Sequence, residues 1–219
     1  MPKIIFFDVN ETLLDLRILS TSFQERFGDN QSLTDWFQLL VHSSTVVSIT
    51  GHYANFGELA GAALQVVAAK YNKTLNEQQA VALLTQVRTA PAHKDVVPAL
   101  GQLREAGYTL VALSNSAEAM LNEQLKNAGI ADEFERVLSV EGIKKFKPSI
   151  EVYHWAASQM MIKPSEATMV AAHDWDIHGA LNAGLQGIYV DREGKAYNRL
   201  YLQPQIVVAD LTDVAEKLI

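Results

Sequence analysis

The second half of the chain alternates strand and helix patterns, and this alternation constrains the fold more than any other feature. Apolar runs with strand character occupy residues 108–113, 136–139, 168–172, 187–190 and 205–209. Segments with helical periodicity occupy residues 96–106, 117–128, 150–161, 176–183 and 212–218. Strands that are joined through helices form a parallel sheet with helices on both faces. The sequence therefore predicts a doubly wound α/β fold.

The first strand ends in a carboxylate. Residues 3–7 form a short apolar run that stops at Asp8, and a polar turn with Thr12 follows. Ligands of open α/β sheets bind in the crevice beyond the carboxyl ends of the strands. Asp8 is therefore a candidate functional residue. The alternative is an aspartate that only closes a turn, which is common after strands.

A long helical block separates this first strand from the second. Helical patterns cover residues 20–27, 33–47, 56–71 and 76–89, with no convincing strand between them. A block of about 80 residues is too long for a simple crossover connection. We therefore expect a helical domain of residues 15–91 inserted into a sheet domain of residues 1–14 and 92–219. A cleft between the two is expected above the strand ends.

Composition excludes several classes of function. The formal net charge is −7, which argues against nucleic-acid binding through a basic surface. The sequence contains no cysteine, so disulfides and thiolate metal sites are excluded. No apolar stretch approaches the ~20 residues that span a bilayer. The start Met1-Pro2-Lys3 lacks the features of a signal peptide. We expect a cytoplasmic protein without a membrane partner.

Further polar residues follow other strands of the predicted sheet. Ser114 and Asn115 end the second strand, and Lys147 lies in a lysine-rich loop before Pro148, which we expect to begin the next helix. His173 and Asp176 follow the fourth strand. Each has an ordinary alternative: a helix cap, a solvated charge run or a core histidine. Their coincidence at strand ends favours one shared site.

The combination of these residues resembles the haloacid dehalogenase superfamily over essentially the whole chain. That family has an aspartate and a threonine in a D-x-x-x-T frame, matched here by Asp8 and Thr12. It also has a serine or threonine after strand two, a lysine before a proline and a later acidic residue, matched by Ser114, Lys147 and Asp176. The resemblance implies a Rossmann-like core, and it implies that the helical insertion is a cap domain.

Two positions resemble the type II 2-haloacid dehalogenases rather than the phosphatases of this superfamily. Phosphatases carry a second aspartate two residues after the first, where this chain has Asn10. They also carry an acidic Mg²⁺ ligand four residues before the last acidic residue, where this chain has Ala172. Asp174 is the only nearby substitute and is out of register. The resemblance therefore implies a hydrolase of carbon–halogen bonds that uses no metal and no other cofactor.

The resemblance also implies a role for each matched residue. Asp8 would attack C2 of a short, anionic 2-haloacid and form an ester, which water then hydrolyses. Lys147 would keep Asp8 ionised, Thr12 would hold the Asp8 loop, and Asp176 would orient Lys147 or polarise the hydrolytic water, with His173 sharing that work. Residues expected to contact the substrate are Asn10, Ser114, Asn115 and His173.

Some features depart from the type II pattern. The arginine that receives the halide in those enzymes is absent near Leu40, so His42 or Trp36 takes that role or the substrate is not an ordinary 2-haloacid. Otherwise Trp36, Phe37 and Leu40 are expected in the core of the cap, and Tyr153 packs or binds a ligand. Two alternatives stay open: a Mg²⁺-dependent phosphatase of a small phosphate ester, and a protein that keeps the fold without dehalogenase activity. Apolar cap helices could also form a homodimer interface.

Overall fold

A computed structural model describes residues 3–219 and contains a six-stranded parallel sheet. The strands are β1 (Ile4–Phe7), β2 (Thr109–Ser114), β3 (Arg136–Ser139), β4 (Ala167–Ala171), β5 (Gln186–Val190) and β6 (Ile206–Val208). Their spatial order is β3-β2-β1-β4-β5-β6, and every pair is parallel. The predicted doubly wound α/β fold is therefore confirmed. Met1 and Pro2, with which the predicted sheet domain begins, lie outside the described residues.

The central position of β1 explains why its sequence is uniformly apolar. Phe7 pairs with Ala112 of β2 on one side and with Val170 of β4 on the other. Ile5, Phe6 and Phe7 have no exposed surface. Burial on both faces is typical of parallel strands, which lack the alternation of one-sided sheets. The ends of β1, β2 and β4 consequently meet at one edge of the sheet.

Each of the four helices predicted between β1 and β2 is present. They are α1 (Ser20–Phe27), α2 (Gln31–Thr50), α3 (Phe56–Lys70) and α4 (Glu77–Arg88). Asn55 and Asn76 begin α3 and α4 as capping boxes, in which the asparagine side chain and a Glu or Gln three residues on satisfy each other's backbone N–H groups. Within residues 3–219, no helix combines the length and the apolar character needed to cross a membrane.

The remaining helices follow the predicted alternation, with two corrections at the site. They are α5 (Val96–Glu105), α6 (Glu118–Asn127), α7 (Ile150–Gln159), α8 (Asp174–Asn182) and α9 (Leu211–Leu218). The prediction that Pro148 begins a helix was wrong: residues 146–149 close a turn of their own, with the Ser149 N–H donating to the Phe146 carbonyl at 2.9 Å. Helix α8 begins at Asp174 and not at Asp176, so that Asp176 lies inside its first turn, where a negative charge is favoured.

The two connections between the helical block and the sheet lie side by side. Leu14 and Ala92 form an isolated antiparallel bridge. The Asp15 N–H donates to the Pro91 carbonyl at 2.8 Å, and the His93 N–H donates to the Leu13 carbonyl at 2.9 Å. The pairing coincides with the boundaries at residues 15 and 91 that the sequence suggested. The division into two domains stays a prediction.

Candidate active site

Asp8 lies directly beyond β1, at the edge where three strands end. Its backbone N–H donates to the Val170 carbonyl at 3.0 Å, which continues the β1–β4 pairing by one residue. The carboxylate is almost fully buried. A buried carboxylate is costly unless charges and hydrogen bonds compensate it. The contacts of its two oxygens therefore decide what it can do.

Lys147 supplies the compensating charge. Its Nζ donates to Asp8 Oδ1 at 2.8 Å, to Asp176 Oδ2 at 2.7 Å and to the Leu113 carbonyl at 3.0 Å. These contacts use all three donors of the ammonium group. Burial would lower the pKa of Lys147, but the two carboxylates outweigh it and raise that pKa. The lysine is thus held charged between two buried anions.

The same charges keep Asp8 ionised. Burial pushes the pKa of Asp8 upward, but Lys147 and His173 outweigh burial and hold that pKa well below its usual range. Asp176 behaves differently, because burial and the nearby charge of Asp8 raise its pKa in spite of Lys147. Of the two carboxylates, Asp8 is therefore the one whose ionised form its surroundings stabilise.

Asp176 is fixed by its neighbours on both oxygens. Oδ2 accepts from Lys147, and Oδ1 accepts from the Tyr153 hydroxyl at 2.6 Å. Tyr153 lies on α7 and is fully buried. It therefore contributes to packing in addition to its hydrogen bond with Asp176. The approach of α7 to α8 depends on Gly179, where an added Cβ would lie 2.6 Å from the Pro148 Cβ and 2.7 Å from the Tyr153 hydroxyl.

Thr12 holds the second oxygen of Asp8. Its hydroxyl accepts the Ala172 N–H at 2.8 Å and donates to Asp8 Oδ2 at 2.7 Å. Because the Ala172 N–H can only donate, it directs the threonine proton toward the carboxylate. The D-x-x-x-T frame thereby joins the loop after β1 to the end of β4.

His173 contacts the same oxygen of Asp8. Its Nδ1 lies 3.1 Å from Asp8 Oδ2, and its Nε2 lies 2.9 Å from Glu11 Oε2. The ring stacks between Phe37 of α2 and Trp175 of α8, with centroid distances of 5.6 and 5.0 Å. Burial would lower the pKa of His173, but the hydrogen bonds and charges of Asp8 and Glu11 raise it to about 10. The imidazole is therefore a cation between two carboxylates.

The other residues expected to bind substrate make hydrogen bonds within the protein. Ser114 Oγ accepts the Ser116 N–H at 3.1 Å, and Asn115 Oδ1 accepts the Lys147 N–H at 2.9 Å. Asn10 donates to Ser116 Oγ at 3.2 Å and accepts from Gln124 at 2.9 Å. Asn10 follows Asp8 by two residues, and Ser114 and Asn115 stand at the end of β2, which pairs with β1. Their role as substrate ligands stays a prediction.

A cavity of about 680 Å³ lies between α2 and the strand ends. Residues of α2 on the cavity wall include Phe37 and His42, and residues from the sheet side include Glu11, His173 and Trp175. Asp8 lies directly behind His173, one hydrogen bond from the wall. Trp36 and Leu40 are buried in the helical block, as expected, and Trp36 donates its indole N–H to the Ala60 carbonyl. Phe37, which we expected beside them, instead lines the cavity.

Sequence reasoning missed Glu11 and the stacking role of Phe37. Glu11 lies inside the segment that first indicated the site, but no pattern distinguishes it from an ordinary turn residue. Its backbone adopts a left-handed conformation with φ of 62°, which is uncommon for a residue other than glycine. A contact between this glutamate and a histidine 162 positions away depends on the closed fold.

The carboxylates of the site do not fit a magnesium ion. Hard cations need several free oxygen ligands. Asp176 uses both oxygens on Lys147 and Tyr153, the Asp174 side chain accepts the Trp175 N–H at 2.7 Å, and position 172 is alanine. Over residues 3–219, no three His, Asp or Glu side chains cluster in a way that could hold a metal. The donor set therefore disagrees with the Mg²⁺ site of the phosphatase alternative.

Comparison with known proteins identifies relatives along nearly the full chain. The family model for haloacid dehalogenase-like hydrolases matches residues 2–184. (S)-2-haloacid dehalogenase 2 of Pseudomonas sp. (strain CBS-3) is 28% identical over 98% of this chain and 94% of its own length. (S)-2-haloacid dehalogenase 1 of the same strain is 26% identical over 97% and 95%. A solved L-2-haloacid dehalogenase structure superimposes with a TM-score of 0.94 at 26% identity, over 98% of this chain and 97% of the other.

Proposed function

The chain belongs to the haloacid dehalogenase-like hydrolases, and on this premise we propose that it hydrolyses the carbon–halogen bond of short 2-haloacids through an aspartyl ester and without a metal ion. The relatives named above are 2-haloacid dehalogenases, which supports this choice within the family. The proposed substrate is a small anion that enters the cavity between α2 and the strand ends. Residues 15–91 are proposed to form the cap over it.

The arrangement of the Asp8 carboxylate carries the proposal. Oδ1 accepts one hydrogen bond, from Lys147, and Oδ2 accepts two, from Thr12 and His173. A carboxylate offers about four lone-pair directions. The one lone-pair direction that accepts no hydrogen bond therefore belongs to Oδ1. The three hydrogen bonds fix the orientation of the carboxylate and leave this lone pair available for attack.

The chemistry follows from that lone pair. Asp8 Oδ1 attacks C2 from the side opposite the halogen, and the C2–halogen bond breaks with its electron pair on the departing halide. The product of this step is an ester between Asp8 and the 2-carbon of the acid. Water then attacks Cγ of Asp8, which releases the 2-hydroxy acid and restores the carboxylate. Covalent catalysis thereby divides one difficult displacement into two steps.

The phosphatase alternative is less well supported by the same residues. A phosphatase needs an acid that protonates the leaving alcohol. At the corresponding position, Asn10 has an amide that cannot serve as an acid and is hydrogen-bonded to Ser116 and Gln124. Halide departure requires no proton. The residue at position 10 is therefore compatible with displacement at carbon.

Halide release in the presence of a chelator tests the proposal. Wild-type protein is incubated with haloacetates and 2-chloropropionate in EDTA, and free halide is measured. We expect release that EDTA does not reduce and that Asp8→Asn abolishes, because the amide is a far weaker nucleophile. Asp132→Asn, at an exposed residue just before β3, serves as the matched control. Activity only on phosphate esters with added Mg²⁺ would refute the proposal.

A further inference from the structure

The oxygen of Asp8 that does not attack has its own pair of donors. Oδ2 accepts from the Thr12 hydroxyl at 2.7 Å and lies 3.1 Å from His173 Nδ1. Both distances match the 2.7–3.1 Å typical of donors that stabilise an oxyanion. If Oδ1 becomes the ester oxygen, Oδ2 becomes the carbonyl oxygen of that ester. The two donors then face the atom on which negative charge develops during hydrolysis.

From this geometry we infer that Thr12 and His173 form an oxyanion hole for hydrolysis of the aspartyl ester, and that Glu11 is the positioning residue that holds the imidazole in its donor form. This inference rests on the proposed function and assigns these residues to its second step. His173 therefore acts as a charged donor and not as the base that removes a proton from water.

The surroundings of His173 favour a fixed cation. Phe37 and Trp175 stack on the imidazole, and its two N–H bonds, which lie in the ring plane, point to Asp8 and Glu11. The charged groups nearest to it are those two carboxylates, with Lys147 on the far oxygen of Asp8. When Asp8 becomes a neutral ester, Glu11 remains to keep the ring protonated. Glu11 is therefore needed to keep His173 charged while Asp8 is esterified.

The atoms and protons of the step balance with groups that are present. Water attacks Cγ, the C=O electron pair moves to Oδ2, and one water proton leaves to solvent in the cavity. The oxyanion then re-forms the carbonyl, the Cγ–Oδ1 bond breaks, and the departing alkoxide takes a proton from Lys147, which lies 2.8 Å from Oδ1. The remaining proton on the regenerated Asp8 returns to Lys147. His173 gives up no proton at any stage.

Substitution of the two donors should slow the second step alone. Removal of one oxyanion donor lowers the rate by about 10²–10³-fold. In His173→Ala we expect one halide per active site to be released in a burst, followed by slow turnover, with the ester on Asp8 accumulating in the intact-protein mass. His173→Gln, which keeps an N–H donor without charge, should fall between wild type and His173→Ala. His52→Ala, an exposed histidine between α2 and α3, is the control.

Thr12 provides an independent test that does not involve the imidazole. Thr12→Ser keeps the hydroxyl and should retain rapid hydrolysis, whereas Thr12→Val should accumulate the ester as His173→Ala does. Thermal melting of each variant establishes that it is folded. A folded His173→Ala or Thr12→Val that turns over without a burst and without an adduct would overturn the inference. Absence of halide release by the wild type would instead reject the proposed function.

The pH profile distinguishes a donor from a base. A protonated donor gives hydrolysis that is lost as pH rises, and Glu11→Gln should move this alkaline limb to lower pH because the ring loses one stabilising carboxylate. A general base would give an acidic limb instead. An acidic limb that moves with Glu11→Gln would therefore contradict the assignment, even if His173→Ala were slow.

Discussion

Lys147 joins three backbone segments at the strand ends through a single ammonium group. Its partners come from the loop after β1, the carboxyl end of β2 and the first turn of α8. A buried lysine with three partners is stable only while every partner is present, because each remaining charge would otherwise lack compensation. The residue consequently serves the chemistry of Asp8 and the stability of the sheet edge at once.

Lys147→Met tests this double role. The substitution leaves Asp8 and Asp176 as adjacent buried carboxylates without a cation, which should lower the free energy of unfolding by about 3–5 kcal/mol. Urea unfolding at neutral pH measures this loss, and halide release should disappear with it. Lys145→Met, a partly exposed lysine of the same loop, should change stability by less than about 1 kcal/mol. Equal stability of the two variants would contradict the role of Lys147.

His173 should give the protein a stability that declines at alkaline pH. Its pKa is raised from 6.5 to about 10 on folding, so its contribution is complete below pH 6.5 and is lost as pH rises toward 10. The slope of unfolding free energy against pH is at most about 1.4 kcal/mol per unit for one such group. Urea unfolding across this range should show the decline in wild type and a flatter curve in His173→Gln. Parallel curves would contradict the cationic state of the ring.

The residues that meet at Asp8 differ in how far the sequence predicts them. Thr12 and Asp176 follow strands of the sheet, and parallel strands present their carboxyl ends at one edge. Lys147 lies in a loop and was placed at the site by the resemblance to the haloacid dehalogenase superfamily. Glu11 and Phe37 were not predicted at the site. Glu11 meets His173 only after β1 and β4 pair. Phe37 faces the cavity because of how α2 is rotated against the strand ends, and the apolar pattern of α2 does not determine this rotation.

At the scale of helices and strands, Gly179 lets α8 approach Pro148 and Tyr153 of α7 closely, and this contact bears on the site. Gly179→Ala would place a methyl group within 2.8 Å of the Pro148 carbonyl and 2.7 Å of the Tyr153 hydroxyl. We expect a loss of about 1–3 kcal/mol from overpacking, and lower activity because the Tyr153–Asp176 contact is displaced. Gly101→Ala in α5, where the added methyl meets no atom within 4 Å, should instead stabilise the protein. Chemical unfolding and halide assays compare the two variants; a neutral Gly179→Ala would refute the expectation.

Most elements could be predicted because their patterns are local. Buried strands and amphipathic helices are recognisable from patterns a few residues long. All six strands were predicted from such patterns. Two local expectations were wrong: Pro148 favours a helix start but lies in a turn before α7, and the start of α8 was placed at Asp176, which resembles a helix cap but pairs with Lys147. Tertiary contacts override the local preference at both positions.

At the scale of the whole molecule, Asp8 lies behind His173 of the cavity wall, and we expect the helical block and the sheet to separate when substrate enters. Arg88 of α4 and Glu123 of α6 form an ion pair across the two parts at 2.9 Å, and both are exposed enough to be labelled. Because the sequence has no cysteine, Arg88→Cys combined with Glu123→Cys can be joined by a short bismaleimide. We expect the joined protein to lose at least about tenfold in halide release.

The two single substitutions, treated with the same reagent, control for modification without joining. A cleavable linker should restore activity when it is cut. Full activity of the joined protein would mean that substrate reaches Asp8 through local side-chain movement alone, and the separation would then be unnecessary.

The bridge between Leu14 and Ala92 has a consequence for the history of the chain. Residues 13–15 and 91–93 pair with each other. The segment between them is therefore an insertion whose two ends leave and rejoin the sheet at the same place. An insertion of this kind can become longer or shorter, or be replaced, without a change in the register of β1 and β2. Changes in the insertion can therefore alter which acids are accepted, while the sheet holds the carboxylate of Asp8 in the same position.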